Sequence, residues 1–109
     1  SVIQDIVQET IDEGRLGEPK FLRCIAVSSS RDNLESTIAE LVSFGEALFG
    51  SPPSQRYQLG KNSGLYLTEM LKWSAGQSAS LTASSPSSVV TSSLDLMLVG
   101  SGGTLYYED

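Results

Sequence analysis

Histidine is missing from this sequence altogether, and cysteine occurs once, as Cys24. Without histidine the chain lacks the usual acid/base near neutral pH and the commonest metal ligand. A single cysteine forms neither an internal disulfide nor a thiolate metal cage, which points to a reducing, cytoplasmic setting. Basic residues are also scarce: seven Lys and Arg against thirteen Asp and Glu give a formal charge of −6. The scattered cations do not make the concentrated basic surface that a phosphate backbone requires, so a nucleic-acid partner is not expected. Nor does any apolar run approach the roughly 18 to 20 residues that span a bilayer, so no membrane partner is expected either. EF-hand, P-loop and zinc-site spacings are absent. A Ser/His/Asp set is excluded with histidine itself.

What is present is enough for one small domain over 1–109. The chain is 39% hydrophobic and 18% charged, a composition that supports a single modest core. Ile3, Ile6, Val7 and Ile11 recur at helical spacing, and Gly14 stops that helix. Gly17 and Pro19 lead into an apolar strand from Phe21 to Val27, with Cys24 as a small core residue. Asp32 followed by Glu35 announces a second helix with Leu34, Ile38, Leu41, Val42 and Leu48 on its buried face. Glu35, Glu40 and Glu46 belong to its solvated side. Gly50, Pro52 and Pro53 end it. A short edge strand is expected around Arg56, Tyr57 and Gln58. Leu67, Met70, Leu71 and Ser74 then suggest a third helix from Ser63 to Ala75, with Gly76 as its stop.

Beyond Gly76 the composition shifts toward serine. Gln77 to Thr82 alternates like a strand, and the serine-rich stretch that follows reads as loop. Leu94 to Val99, the turn Gly100-Ser101-Gly102-Gly103 and Thr104 to Tyr107 make a hairpin. The fold class expected is α+β: a mostly antiparallel sheet backed on one face by about three helices.

Three segments together resemble the glucose–fructose oxidoreductase / inositol dehydrogenase / MocA family, in its C-terminal domain. They are Ile11-Asp12-Glu13-Gly14-Arg15-Leu16-Gly17-Glu18-Pro19 entering a strand at Phe21, the run Gly64 to Gly76 with Met70-Leu71-Lys72-Trp73, and Leu94 to Leu105. About half of the chain carries the likeness. It implies a domain that shapes a substrate pocket and pairs subunits through a sheet face. The family's nicotinamide dinucleotide is held on a Rossmann domain that precedes this one. The chain has no such domain, and its glycine cluster at Gly100 to Gly103 precedes a strand instead of opening a helix. No cofactor is therefore expected on this chain, and NAD or NADP only with an upstream Rossmann domain. The chain then reads as a piece of something larger.

The resemblance also implies a pocket stripe. In place of the family's Asp, Gly, His and Asp on its active-site helix stand Asn62, Gly64, Tyr66 and Glu69. Asn62, Tyr66 and Glu69 fall at i, i+4 and i+7, one face of a helix, with Lys72 adjacent. The plainer alternative makes Tyr66 half-buried core and pairs Glu69 with Lys72 on the surface. Three functions stay open at this point. The first is the substrate-pocket and subunit-pairing domain of an NAD(P)-dependent oxidoreductase, inactive as an isolated chain. The second is a non-catalytic interaction module of the same descent, which the missing histidine favours. The third is an unrelated small α+β binding domain. A homodimer through sheet faces is expected, with Leu96 or Met97 and Leu105 or Tyr106 on the pairing face according to register.

Overall fold

A computed structural model describes residues 2–28, 34–60, 66–85 and 92–108. Helix α1 (Val2–Asp12) ends where expected: the Gly14 amide donates to the Ile11 carbonyl, and Gly14 takes φ +75°, a conformation that costs glycine nothing. Val7 is buried, with Ile6 and Ile11 half-buried on the same stripe. Strand β1 (Pro19–Val27) follows, then α2 (Leu34–Phe49). The buried residues of α2, Leu34, Ile38, Val42 and Gly45, repeat at helical spacing and set its inner face. Asp32, the expected cap, lies outside the described residues.

Five more strands follow: β2 (Gln55–Gly60), β3 (Tyr66–Lys72), β4 (Ser78–Ser84), β5 (Ser93–Gly100) and β6 (Thr104–Glu108). All six strands form one sheet in the order β2-β3-β4-β1-β5-β6. Only β1 and β4 pair in parallel; the other neighbours are antiparallel. The α+β expectation therefore holds, with two helices among the described residues instead of about three.

The third helix expected from Ser63 to Ala75 is instead strand β3 with a turn after it. Leu67, Glu69, Leu71 and Trp73 alternate inward, so a two-residue period competes with the helical one over the same letters. The strand wins because the turn commits it. Trp73 donates its amide to the Gln77 carbonyl, Gly76 donates back to Trp73, and β4 returns along β3 from Lys72↔Ser78 to Tyr66↔Ser84.

Both helices lie on one side of the sheet. Leu22 and Cys24 of β1, Leu67 and Leu71 of β3, Ala79 and Leu81 of β4, and Leu96 and Leu98 of β5 point toward them and are buried. Removing each such leucine from water contributes about 1.5–3 kcal/mol. Trp73 fastens α2 to this layer. Its Nε1–H donates to the Ser51 carbonyl at 2.7 Å, and its ring meets Phe49 edge-on with centroids 4.6 Å apart. The opposite side of the sheet carries no element among the described residues.

Candidate functional site

Alternation along a strand sends neighbouring residues to opposite faces, and this decides the fate of the expected stripe. Tyr66 lies on the open face and is 55% exposed, whereas Glu69 points to the helices with its side chain only 5% exposed. Lys72 is exposed on the open face with Tyr66. Asn62 lies outside the described residues. Tyr66 and Glu69 thus do not share a surface, because i and i+3 coincide on a helix and oppose on a strand. The plainer pairing of Glu69 with Lys72 fails for the same reason.

The partner of Glu69 comes from the neighbouring strand. Arg56 of β2 reaches Glu69 Oε1 with its Nε at 2.6 Å and a terminal nitrogen at 2.5 Å. A carboxylate in an apolar layer is costly unless it is paired and hydrogen-bonded, and this fork supplies both. The pair borders a cleft of about 190 Å³ between β2, β3 and the first half of α2, where Glu35, Ile38 and Ala39 form the other wall. On the outer side of the same helix, Ser36, Glu40 and Ser43 are exposed at i, i+4 and i+7.

The open face is the larger feature. Among the described residues Tyr57, Leu59, Tyr66, Met70 and Tyr106 are the exposed large hydrophobics, and every one of them lies on it. Register settles the choice left open by the sequence: Met97 and Tyr106, paired across β5 and β6, take the open face, and Leu96 and Leu105 take the helix side. A small polar group sits among these residues. Tyr106 donates its hydroxyl to Asp95 Oδ2 at 2.6 Å, and Arg23 lies 3.5 Å from Asp95 Oδ1. The accepting carboxylate, more than the other neighbours, holds the Tyr106 phenol up at about 12.

Two further features have structural explanations. Cys24 is buried on the helix side; burial first, and then the charge of Asp95, raise its thiol to about 12, so it stays protonated. In the glycine turn, the Ser101 amide donates to the Glu18 carbonyl and the Gly102 amide to the Leu16 carbonyl, both at 2.9 Å. Those donors hold the α1–β1 loop. Among the described residues no group of His, Cys, Asp and Glu is arranged to hold a metal ion, and no helix is long and apolar enough to cross a membrane.

No protein-family model matches the chain, and no curated protein matches it by sequence. Solved structures do match it by fold. A probable dehydrogenase from Thermotoga maritima superposes with a TM-score of 0.79 at 13% identity, over 97% of this chain and 38% of that one. The myo-inositol 2-dehydrogenase from Lactobacillus plantarum gives 0.72 at 17%, over 95% and 38%. The WlbA dehydrogenase from Bordetella pertussis, solved with NADH and UDP-GlcNAcA, gives 0.70 at 12%, over 96% and 39%. The fold of this chain is thus one found within inositol dehydrogenases and their structural relatives. It spans less than two-fifths of the length of these three.

Proposed function

We propose that this chain is the substrate-pocket and subunit-pairing domain of an NAD(P)-dependent oxidoreductase, C-terminal to a Rossmann domain that holds the dinucleotide, and inactive by itself. The observation that carries this reading is the overlap of nearly the whole chain with one part of dehydrogenases more than twice its length. An open sheet face that bears every exposed large hydrophobic among the described residues supports the pairing role, since apolar side chains gathered on one uncovered face mark an interface. The helix that would border the pocket is α2, and its exposed stripe of Ser36, Glu40 and Ser43 is where a substrate's polar groups would be met.

One observation favours a second reading. Neither that stripe nor any other part of the chain offers a histidine, and Glu40 is the stripe's sole titratable group. The imidazole that commonly takes a proton from a hydroxyl near neutral pH is therefore missing from the stripe. A non-catalytic relative that keeps the pairing face would look the same.

Three measurements test the proposal. Light scattering coupled to size exclusion should give twice 11.6 kDa; a mass of 11.6 kDa at every concentration removes the pairing role. NADH or NADPH fluorescence should show no saturable micromolar binding to this chain, and saturation would relocate the cofactor site. Joining an upstream Rossmann domain, if the gene encodes one, should produce binding and hydride transfer under the first reading. Under the second it produces binding without turnover.

A further inference from the structure

The helix-facing layer breaks its apolar pattern at one spot. On β3 the inward residues run Leu67, Glu69, Leu71, and on β2 the inward positions beside them hold Arg56 and Gln58. Leucine at 69 next to an apolar residue at 56 would fill this layer without taking a charge out of water. Replacements of that kind are often neutral or stabilising, so packing alone does not call for the ion pair. What the pair does provide is a guanidinium held in one orientation. Arg56 spends Nε and Nη2 on Glu69 Oε1, and these two nitrogens form one edge of the planar group. The edge that Nη1 shares with Nη2 is turned away from Glu69, and about half of the side chain is exposed.

Arg56 borders the cleft of about 190 Å³ between β2, β3 and α2. Arg56 and Gln58 stand on its strand wall, Glu35 and Ala39 on its helix wall, and the buried Ile38 and Leu67 make its floor. A cation and an amide thus lie across from an anion over an apolar base. We infer that this cleft binds a free α-amino acid with a small apolar side chain. The carboxylate takes the outer edge of Arg56 beside the Gln58 amide, the ammonium turns toward Glu35, and the side chain rests on Ile38 and Leu67. Each charge of the zwitterion then meets its opposite. A simple acid would face Glu35 and Glu69 uncompensated, and a simple amine would face Arg56. The planar fork of a guanidinium matches a carboxylate in direction as well as charge. Size agrees with this class of ligand: the cleft is smaller than the roughly 300–1,000 Å³ of sites for drug-sized molecules, and leucine has about a third of their atoms. The site lies on the flank of α2 beside the stripe of Ser36, Glu40 and Ser43, so it is additional to the substrate pocket proposed above and is tested apart from it.

Amide resonances of the 109-residue chain, followed while L-leucine is titrated into the millimolar range, test the inference. Saturable shifts should appear at Glu35, Ala39, Arg56 and Gln58 and leave the β5–β6 hairpin unmoved. Isocaproate is leucine without its amine, and isoamylamine is leucine without its carboxylate. Each should bind at least about tenfold more weakly, having lost one charge-assisted contact. Glu35 is exposed, so Glu35→Gln spares the buried layer; it should weaken leucine about tenfold and leave isocaproate no weaker. If circular dichroism shows that variant unfolded, Gln58→Ala on the opposite wall replaces it and should weaken leucine and isocaproate alike. The absence of saturable shifts with leucine overturns the inference. So does either half-ligand binding as tightly as leucine, or a folded variant that binds leucine as well as the unaltered chain.

Discussion

Arg56 holds Glu69 from the adjacent strand, with two guanidinium nitrogens on one carboxylate oxygen at 2.6 and 2.5 Å. The pair joins the edge strand β2 to the interior of the helix-covered layer, and it is asymmetric. Glu69 is almost wholly withdrawn from water, whereas about half of the Arg56 side chain is exposed.

Removing the cation should therefore cost more than an exposed ion pair normally contributes. Arg56→Ala strands a buried carboxylate, and a loss of about 2 kcal/mol is expected in urea unfolding. Arg56→Ala combined with Glu69→Leu should recover most of that loss, since the inward position then holds an apolar group. An Arg56→Ala change that moves stability by less than about 0.5 kcal/mol would show the pair to be idle.

The same pair explains what could be read in the sequence and what could not. Both helices, β1, the β5–β6 hairpin and its glycine turn follow from local periodicity and punctuation, and all were legible. β3 was not. Leu67, Met70 and Leu71 satisfy a helical period, and Glu69 in the middle of the run argues against a strand face turned to a core. Its inward position makes sense only with Arg56, thirteen residues earlier on another strand, and local patterning does not see that far. The misplaced helix then carried the pocket stripe with it: Tyr66 and Glu69 were joined by a spacing that a strand pulls apart. Which residues lie on the open face was a matter of register, and register alone decided between Met97 and Leu96.

Cys24 supplies a pH dependence. Its thiol rises from an ordinary 9.0 to about 12 in the folded chain, chiefly because it is buried. Between those values the unfolded chain has released the proton and the folded chain retains it, so stability is fully present below pH 9 and falls as pH climbs toward 12. The slope from this group should approach about 1.4 kcal/mol per unit, and Cys24→Ala should remove it, leaving the part that Tyr106, raised from 10.0 to about 12, adds as pH passes 10. A thiol reagent at pH 8 should label Cys24 only after denaturant is added; rapid labelling of the native chain contradicts the burial argument.

Trp73 provides an optical report on how α2 is seated, because it is the one tryptophan in the sequence. Trp73→Phe removes the hydrogen bond to the Ser51 carbonyl and part of the edge-on contact with Phe49. A loss of about 1–3 kcal/mol is expected, the sum of a stranded acceptor and reduced packing. In the unaltered chain, emission should be blue-shifted and should move to the red in the same denaturant transition that circular dichroism follows. A fluorescence change well ahead of that transition would mean that α2 detaches before the sheet unfolds.

The glycine turn can be tested for the role that its hydrogen bonds assign to it. A Cβ built at Gly100 falls far inside van der Waals contact of the Leu16 carbonyl oxygen and against the Leu16 side chain, which is itself almost completely buried. The neighbour on one side is backbone, so rotation of a side chain gives no escape. Gly100→Ala must push the α1–β1 loop away from the hairpin and break the donations from Ser101 and Gly102 to Glu18 and Leu16. Overpacking of this kind costs about 1–3 kcal/mol. Gly76→Ala is the useful comparison, since a Cβ there meets nothing and only its φ of +101° is strained. Hydrogen exchange separates the two. Gly100→Ala should accelerate exchange at the Ser101 and Gly102 amides, whereas Gly76→Ala should leave them protected. If Gly100→Ala leaves those amides slow, the loop is not held by the turn, and the close glycine packing needs another explanation.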